Sequence, residues 1–249
     1  CKKDASGSLK RPRLPGGPVM SAASVMVSTP LIQSEDRGPI PTAALQSILV
    51  NPLPFVAAKA ILEKYHYLHS MPGGTKLAFG VFLGDRLYGA ITFGSGPANV
   101  YRMVEGAKPS DCLTLSRLWL SDELPSNSES RVLGIALRAL KRFTRIRFLV
   151  SYADPAQGHI GTIYQATGWV YTGLSEAMPM FDIGDGKPRH SRSLSHTYGS
   201  HSVKHFESCG VKVRVVPQSR KHRYFYLLDT DFQGKLKVLP QAYPKKEAI

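Results

Sequence analysis

The sequence predicts an α/β domain, and three observations indicate this class. Two strand-like runs flank a Gly-Asp turn at residues 84–85, which is a hairpin pattern. Farther along, an apolar strand, a polar loop, an amphipathic helix, a second strand and a further helix follow one another between Leu113 and Trp169. The length of 249 residues, 43% of them hydrophobic, suits one globular domain with tails or two small domains.

The two ends of the chain are predicted to lie outside the folded domain. Residues 1–45 are rich in Pro, Gly, Ser and basic side chains and have no apolar periodicity, so we expect a disordered basic tail. Its cations could contact nucleic acid, although the composition favours a solvated tail. The folded domain is predicted over residues 46–232, and residues 233–249 have the composition of a polar C-terminal tail.

The first predicted elements are a helix and the hairpin. Apolar residues at helical spacing follow Pro54, and the helix is expected to end near His69, before a Met-Pro-Gly-Gly turn. The hairpin strands are predicted over residues 77–83 and 86–93, where apolar and β-branched residues are frequent.

The end of the first helix carries the cluster Tyr65-His66-Tyr67-Leu68-His69. Its aromatic and imidazole groups could line a pocket for a planar base. Alternatively, Tyr65 and Leu68 pack into the core while both histidines face water. His66 and His69 are three residues apart and are the candidate metal ligands, but no spacing in the sequence independently requires a metal.

The central stretch supplies the predicted strand–helix–strand–helix unit. Its strands are expected over residues 113–120 and 146–153, its first helix over residues 130–143, and a second helix carries residues 163–169. Further strand-like runs follow at residues 170–174, 178–181, 211–216 and 223–228.

The helix that starts at Ser130 contains the string Arg131-x-x-Gly134-x-Ala136. Gly134 permits close approach of a ligand to the backbone, small Ala136 leaves the next turn open, and the first N–H groups of a helix can hold a pyrophosphate. An amphipathic helix often contains such a string, so the pattern alone is not specific. Ser130 is also a natural N-cap, which is the structural alternative for it.

Three polar residues stand where a ligand is expected. Asp154 follows an apolar strand, at the end where α/β sheets bind ligands, so it is either a general base or a cap for the next turn. Tyr164 is ten residues farther on and could protonate a leaving thiolate, or pack by its ring. Arg117 lies on a strand otherwise suited to the core, where a buried guanidinium needs an anionic partner.

The chain is strongly basic, with a net charge of +14 and a pI near 9.8, which favours a polyanionic partner or a solvated basic surface. Residues 184–223 hold nine Lys and Arg against two acids, which is half of the net charge, together with five His and several aromatic residues. A charged face of a strand pair would explain this, but the concentration favours nucleic acid. The predicted DNA contacts are Lys187, Arg189, Arg192, Lys204, Arg220, Lys221 and Arg223.

Cysteine content and hydropathy indicate in which compartment the protein is expected. Three cysteines without a Cys-x-x-Cys pair argue against a disulfide framework and against a thiolate zinc site. No apolar run is long enough to span a bilayer, so no membrane partner is expected. The polar, basic start carries no secretory signal, and we expect a cytoplasmic protein.

Several of these residues form short strings that occur together in known families. Arg131-x-x-Gly134-x-Ala136 resembles the acyl-CoA pyrophosphate motif of the GNAT N-acetyltransferase superfamily. The sequence is closer still to the bacteriophage Mom DNA-modification family, over roughly residues 50–230. That likeness rests on His66-Tyr67, Leu115-Ser-Arg-Leu-Trp119, Asn127-Ser-x-Ser130, Tyr152-Ala-Asp-Pro155, Gly161-x-Ile-Tyr164-Gln-Ala-Thr-Gly-Trp169 and Lys221-His-Arg-Tyr-Phe-Tyr226.

The resemblance implies a GNAT-like fold, with a mixed, mostly antiparallel twisted sheet flanked by helices. It implies an enzyme that converts adenine in double-stranded DNA to N6-carbamoylmethyladenine and so protects phage DNA from host restriction. The implied cofactor is acetyl-CoA or a related acyl-CoA, and the family is also associated with iron. Catalytic positions of the family match Arg117, Ser130, Asp154, Tyr164 and Tyr67, with Tyr65 as the alternative to Tyr67. Cofactor contacts would come from Ser130, Arg131, Gly134, Ala136 and Tyr164.

Two other functions stay open at this point. An ordinary GNAT enzyme would acetylate an amine on a protein, a tRNA or a small molecule, and a GNAT fold without catalysis could simply bind DNA. The concentrated basic segment favours nucleic acid over a small amine. The joint presence of Arg117, Asp154 and Tyr164 favours catalysis, although each has a structural explanation of its own.

Overall fold

The computed structural model describes residues 40–177, 179–186, 188–190, 194, 199 and 202–245, so nearly all of the predicted N-terminal tail lies outside the described residues. The described part forms ten strands and four α-helices. None of these helices is long and apolar enough to cross a membrane. The strands are β1 (Ile48–Pro52), β2 (Thr75–Leu83), β3 (Arg86–Gly94), β4 (Cys112–Leu120), β5 (Phe148–Ala153), β6 (Val170–Leu174), β7 (Met180–Asp182), β8 (Arg189–His190), β9 (Arg214–Val216) and β10 (His222–Leu227). The helices are α1 (Phe55–Tyr65), α2 (Ser128–Phe143), α3 (Thr162–Ala166) and α4 (Val203–Ser208).

Seven strands form the main sheet, in the order β1-β2-β3-β4-β5-β10-β6. Neighbouring strands run antiparallel except β4 and β5, which run parallel. A parallel pair needs a long crossover, and α2 with its flanking loops makes that connection. The predicted class, a mixed and mostly antiparallel sheet flanked by helices, is confirmed.

Helices cover both faces of the sheet because successive side chains of a strand point to opposite faces. Ala90 of β3 packs in the core beneath α1, while its neighbour Ile91 packs in the core that contains α2. The buried side of α1 consists of Ala58, Ile61 and Leu62. The buried stripe of α2 has the i, i+3, i+4 spacing of an amphipathic helix and includes Val132, Leu133, Ala136, Leu137 and Leu140.

The hairpin and the central unit form as predicted, with shifted ends. The hairpin turn lies at residues 84–85, between β2 and β3. α1 ends at Tyr65, earlier than predicted, because His66 takes extended backbone angles. α2 begins two residues before the predicted Ser130. β1 is not predicted by the sequence, since this short edge strand ends in a proline beside the basic tail.

A smaller sheet orders part of the basic segment. β7 pairs antiparallel with β8 on one side and β9 on the other. This sheet shares a core with α4, in which Phe181, Leu194 and Phe206 are buried. Asp182 lies beside β9 and its carboxylate is 3.1 Å from the guanidinium of Arg214. The sequence predicts only strand-like runs here and not their pairing.

The chain after residue 233 lies against the main sheet. The Tyr243 hydroxyl donates to the Trp169 carbonyl oxygen at 2.7 Å, and the Gln241 N–H donates to the Tyr171 carbonyl oxygen at 2.9 Å. The sequence predicts a polar tail from this point. Its composition gives no sign of these contacts, since hydrogen bonds to carbonyl groups require no apolar periodicity.

We predict that Gly161 tolerates no side chain. It has a φ of 82° at the start of α3, and a Cβ atom there would lie 2.8 Å from Tyr224 Cζ and 2.9 Å from Tyr164 Cδ2. Gly158 has a similar φ of 69° and open space around it, so Gly158→Ala measures the backbone cost alone. In urea unfolding, Gly158→Ala should lower the free energy of unfolding by about 1–2 kcal/mol. Gly161→Ala should lower it by about 1–3 kcal/mol more, and equal losses would contradict the close packing.

Candidate functional site

β4 and β5 separate partway along their length. Their parallel hydrogen bonding covers Cys112–Thr114 and Phe148–Val150 and does not continue beyond these residues. At the point of separation the Ser151 hydroxyl donates to the Leu115 carbonyl oxygen, 3.0 Å away. A side chain thus takes the place of the next ladder hydrogen bond, and the diverging strands leave an opening in the sheet.

Two cavities meet at this opening. The helix-side cavity, of about 430 Å³, lies toward α2 and α3 and is lined by residues that include Asp122, Glu129, Ala153, Ile163 and Tyr164. The far-side cavity, of about 460 Å³, lies against the opposite face and is lined by residues that include Gly96, Thr114, Asp154, Ser175, Glu176, Ser219, Lys221 and Arg223. Five residues line both cavities: Tyr67, Leu115, Ser116, Arg117 and Tyr152.

A β-bulge at Ser116 determines which face carries Arg117. Thr92 of β3 is paired with Arg117 and the next residue, Phe93, is paired with Leu115, so Ser116 is an extra residue in β4. Because side chains alternate across a strand, the extra residue moves Arg117 from the face of Leu115 to the opposite face. Strict alternation would have left Arg117 in the apolar core beside α2.

Arg117 is half-buried, and no carboxylate of the described residues forms an ion pair with it. Its Nη1 donates to the Ser116 carbonyl oxygen at 2.8 Å, while its buried Nε has no acceptor. Burial lowers the pKa of Arg117, and the neighbouring Tyr67 acts in the opposite direction. A guanidinium stays protonated in proteins. A positive charge is therefore held at the junction of the cavities, where it can bind an anionic or strongly polar ligand group.

Tyr67 lies at the cavities and Tyr65 does not. The Tyr67 ring is 47% exposed, stacks on His66 with centroids 4.4 Å apart, and meets His159 edge-on at 5.5 Å. Tyr65 instead stacks on Trp119 at 4.7 Å, in the core beneath α1. Burial raises the pKa of the Tyr67 phenol, which is neutral at physiological pH. Tyr67 thus offers an aromatic surface between the two cavities.

His66 is buried and its imidazole is neutral at physiological pH. Nδ1 accepts a hydrogen bond from the Leu68 N–H at 3.1 Å, so the ring proton is on Nε2. Burial, reinforced by the charge of Arg117, lowers the pKa of His66 to about 4. His69 is exposed, and its Nδ1 donates to the Glu63 carbonyl oxygen at 3.0 Å. The described residues contain no cluster of three or more His, Cys, Asp or Glu that could hold a metal ion, so iron ligation by His66 and His69 is not supported.

Tyr164 is 7% exposed and forms part of the wall of the helix-side cavity. Its hydroxyl lies 2.7 Å from Ser151 Oγ. The Ser151 proton is already donated to the Leu115 carbonyl oxygen, so Tyr164 donates to Ser151. Burial raises the pKa of Tyr164 to about 12. The phenol is therefore protonated, as its predicted role of proton donor requires, and Ser151 fixes its position.

Asp154 lies in the far-side cavity and is held by three donors. Oδ1 accepts from the Ser219 hydroxyl at 2.6 Å and from the Ala156 N–H at 3.0 Å, and Lys221 Nζ is 3.3 Å from Oδ2. Burial raises the pKa of Asp154, but these hydrogen bonds and the charge of Lys221 outweigh it and leave the pKa below its ordinary value. Asp154 therefore caps the turn Pro155–Gln157 and is ionised, while its low pKa makes it a weak base.

The predicted pyrophosphate string lies inside α2 instead of at its start. α2 begins three residues before Arg131, whose N–H already donates to the Asn127 carbonyl oxygen at 3.1 Å. Gly134 lines a separate small groove, and a Cβ there would make only an ordinary van der Waals contact. Ala136 is fully buried. Gly134 and Ala136 both lie beyond the first turn of α2, so neither adjoins the free N–H groups at the start of the helix, and their role in cofactor binding stays a prediction.

The start of α2 nevertheless borders the helix-side cavity. Glu129 lines this cavity, and Ser130 follows it with a hydroxyl that donates to the Asn127 carbonyl oxygen at 2.9 Å. Arg131 is exposed. Asp122 lines the same cavity, so a pyrophosphate at this end would meet two carboxylates as well as the first N–H groups of the helix.

The predicted DNA contacts do not share one environment. Lys187 and Arg192 lie outside the described residues. Arg189 forms an ion pair with Asp185 in the smaller sheet region. Lys204 is exposed on α4. These residues are compatible with a solvated basic surface as well as with DNA.

The last three predicted contacts lie at the far-side cavity. Arg220 is exposed and its Nε donates to the carbonyl oxygen of Ser175, a cavity residue, at 2.9 Å. Lys221 and Arg223 line the cavity itself. Arg223 is buried, because alternation along β10 turns its side chain toward Thr172. It is therefore not part of an exposed basic surface.

The sequence does not single out four polar or aromatic residues that contact or pair with predicted site residues: Ser151, Tyr152, His159 and Ser219. Ser151 and Tyr152 are polar residues inside an otherwise apolar strand, and that signal could have identified them. His159 and Ser219 lie on loops, and Ser219 is far from Asp154 in sequence, so only the fold brings that pair together.

Solved structures with a similar arrangement of elements are N-acetyltransferases. An N-acetyltransferase from Staphylococcus aureus Mu50 is 12% identical, with coverage of 73% of this chain and 97% of that chain and a TM-score of 0.41. A spermidine N-acetyltransferase from Vibrio cholerae is 9% identical, with coverage of 74% and 95% and a TM-score of 0.45. Scores of this size carry no argument about this chain, whose architecture rests on the strand order described above.

Sequence comparison gives a more specific result. The protein named methylcarbamoylase Mom, from Escherichia phage Mu, is 28% identical over 200 residues, which are 76% of this chain and 80% of that protein. The model of the Mom protein family matches residues 47–245. The match includes every strand of the main sheet and all residues named for the two cavities. The chain therefore belongs to the Mom protein family.

Proposed function

We propose that this chain is a DNA-modifying enzyme that converts adenine in double-stranded DNA to N6-carbamoylmethyladenine. The observation that carries the proposal is the half-buried guanidinium of Arg117, held without a carboxylate partner where two cavities meet through the sheet. The name of the phage Mu relative, a methylcarbamoylase, supports the same class of reaction. In the cytoplasm of a bacterial host, such a modification would protect phage DNA from restriction.

We assign the helix-side cavity to an acyl-CoA, with acetyl-CoA as the first candidate. Beyond Leu115 and Ser116, whose carbonyl oxygens accept from Ser151 and Arg117, β4 has no ladder with β5, so its edge over residues 117–120 is open to an extended arm such as pantetheine. Tyr164 and Ser151 lie at the apex of the opening, and Ser130 and Arg131 lie near the start of α2. A bound acyl-CoA would supply the two carbons of the product and would release its thiol when an ammonia-level nitrogen forms the amide; joining the former methyl carbon to N6 also requires a two-electron oxidant as co-reactant. The residues of this cavity fit the acyl arm better than the pyrophosphate, because the carboxylates of Asp122 and Glu129 would repel the phosphates near the start of α2.

We assign the far-side cavity to the target adenine. In a duplex the N6 atom is stacked and paired, so the nucleotide must leave the helix before it can react. Tyr67 and Tyr152 provide aromatic surfaces where the cavities join, and a volume of about 460 Å³ is in the range of small-molecule sites. Exposed Arg220 and Lys204 would meet phosphates of the surrounding DNA.

Three residues receive roles in the reaction. Arg117 orients the polar end of the transferred group at the junction of the cavities. Tyr164 is a protonated phenol in the helix-side cavity, and it would supply a proton to the thiol group that an acyl-CoA bound there releases. Asp154 is the ionised carboxylate of the far-side cavity and accepts the N6 proton. Its low pKa is sufficient for this, since N6 becomes acidic as its new bond to carbon forms.

The proposal predicts modified adenine in plasmid DNA from cells that express the protein. Nucleoside digests analysed by mass spectrometry should contain carbamoylmethyladenine. Arg117→Gln should lower the product by about a hundredfold or more, because the orienting charge is lost. Arg117→Lys should give an intermediate level, since a lysine keeps the charge and loses the planar fork. Arg142→Gln, at an exposed position of α2 away from both cavities, should match the wild type.

Unmodified adenine in cells with abundant, folded protein would contradict the proposal. An acetylated amine as the sole product would replace it with ordinary N-acetyl transfer.

Variants of Tyr67 separate stacking from hydrogen bonding. Tyr67→Phe keeps the ring on His66 and should retain most of the product. Tyr67→Ala removes the surface for the extruded base and should lower the product about tenfold, because stacking of a base on an aromatic ring contributes roughly 1–3 kcal/mol. The same nucleoside digest measures both variants. A loss in Tyr67→Phe as large as in Tyr67→Ala would assign the effect to the hydroxyl and contradict the stacking role.

The neutral state of His66 predicts a loss of stability in mild acid. The folded-state pKa is about 4 against an ordinary value of 6.5, so below pH 6.5 the unfolded chain binds a proton that the folded chain does not. Between pH 7.5 and pH 5 this difference should remove about 2 kcal/mol from the free energy of unfolding. In urea titrations at the two pH values, the free energy of unfolding of His66→Gln should decrease by a correspondingly smaller amount than that of the wild type. The exposed neighbour His69→Gln is the control and should keep the wild-type decrease. An unchanged decrease in His66→Gln would show that His66 is charged in the folded protein at pH 5.

A further inference from the structure

The far-side cavity contains a buried cation with only neutral partners in the described part of the chain. Arg223 is 8% exposed and lines this cavity. Its Nε donates to Thr172 Oγ1 at 2.9 Å and its Nη2 to the Thr172 carbonyl oxygen at 3.2 Å. Nη1 has no hydrogen-bond partner among the described residues. Burial of a guanidinium without an anion costs free energy, so an anionic ligand is expected beside it.

The carboxylates of the same cavity do not supply that anion. Asp154 is occupied by Lys221 and Ser219. Glu176 is exposed and makes no ion pair with Arg223. Tyr152 is the cross-strand neighbour of Arg223. Burial raises the pKa of Tyr152 to about 12, so this phenol is neutral as well.

The position of Arg223 relates it to the site of reaction. Arg223 and Tyr152 are paired across β10 and β5, so their side chains leave the sheet on the same face. Tyr152 lines both cavities and contributes to their junction beside Arg117. A group bound by Arg223 would therefore lie in the same cavity as the base that reacts.

We propose that Arg223 binds a backbone phosphate adjacent to the extruded adenine, inside the far-side cavity. This inference rests on the proposed function and specifies how the substrate is recognised. The enzyme therefore recognises the target as a nucleotide within a strand. The buried guanidinium contributes to this recognition in addition to the exposed basic surface. Two nitrogens of one guanidinium can donate to two oxygens of one phosphate, and Nη1 with the second proton of Nη2 is free to do so.

A gradient of burial favours a phosphodiester over a small free carboxylate. Arg220 is exposed at the edge of the cavity, Lys221 is half-buried beside Asp154, and Arg223 is buried. A nucleic-acid strand that enters from the surface would meet these cations in order. A small carboxylate would need only the innermost one.

Short oligonucleotides test the inference without any chemistry. The trinucleotide d(TpApT) presents its adenine without a duplex to open. Replacing both phosphates by neutral methylphosphonates removes the charge and one of the two oxygens that a guanidinium would bind at each phosphate. In calorimetric titrations the wild type should bind the diester about tenfold more tightly than the methylphosphonate, as for a hydrogen bond between charged groups. Arg223→Gln should reduce this preference to about threefold or less, and Arg220 and Lys221 account for what remains. Arg142→Gln, at an exposed position away from both cavities, should keep the tenfold preference.

Thermal unfolding verifies that Arg223→Gln folds. If it does not, Arg223→Lys replaces it and should reduce the preference at least threefold, since a lysine cannot make the paired contact. A folded variant that keeps the full tenfold preference overturns the inference. It is equally overturned if the wild type binds neither trinucleotide or binds both equally. The nucleoside digests test the proposed function separately, because the affinities for the trinucleotides do not depend on whether the protein modifies adenine.

Discussion

The hydrogen bond from the Ser151 hydroxyl to the Leu115 carbonyl oxygen divides the sheet into a closed half and an open half. Before this point β4 and β5 share a parallel ladder, and after it each strand keeps only its outer neighbour. Both cavities depend on that separation, because a continued ladder would bring the two edges together and close the passage between the faces. The same hydroxyl accepts the proton of Tyr164, so the point of separation also fixes one wall of the helix-side cavity.

Much of the fold could be predicted because its elements have strong local periodicity. The hairpin of β2 and β3 and the amphipathic pattern of α2 follow from apolar spacing and turn residues alone. The bulge at Ser116 could not be predicted this way, since one extra residue leaves the composition of β4 unchanged and reverses the face of every side chain after it. An arginine within an apolar strand predicts a functional position for Arg117, and the bulge at Ser116 explains why its side chain does not enter the apolar core.

Some residues of the candidate site can be predicted from local sequence, and others depend on the exact bounds and register of the elements. The positions of Asp154 at the end of a strand and of Tyr164 near the start of a helix predict a ligand site, and both residues line cavities. The string around Gly134 predicts a helix start, but α2 begins at Ser128, so Gly134 lies in the second turn. The total charge of the basic segment likewise does not identify individual site residues. A basic segment indicates an anionic partner, but only the register of β10 distinguishes buried Arg223 from exposed Arg220.

The segment that follows residue 233 has a practical consequence for work on this protein. It reaches α3, where Gln165 Nε2 donates to the Pro244 carbonyl oxygen at 3.3 Å, and its Tyr243 packs near Tyr224. α3 is a helix of only five residues, too short to be stable by itself, and it carries Tyr164. A proteolytic cut before Gln241 would therefore remove a brace from the helix that forms the cavity wall, although the cut itself lies outside the cavity.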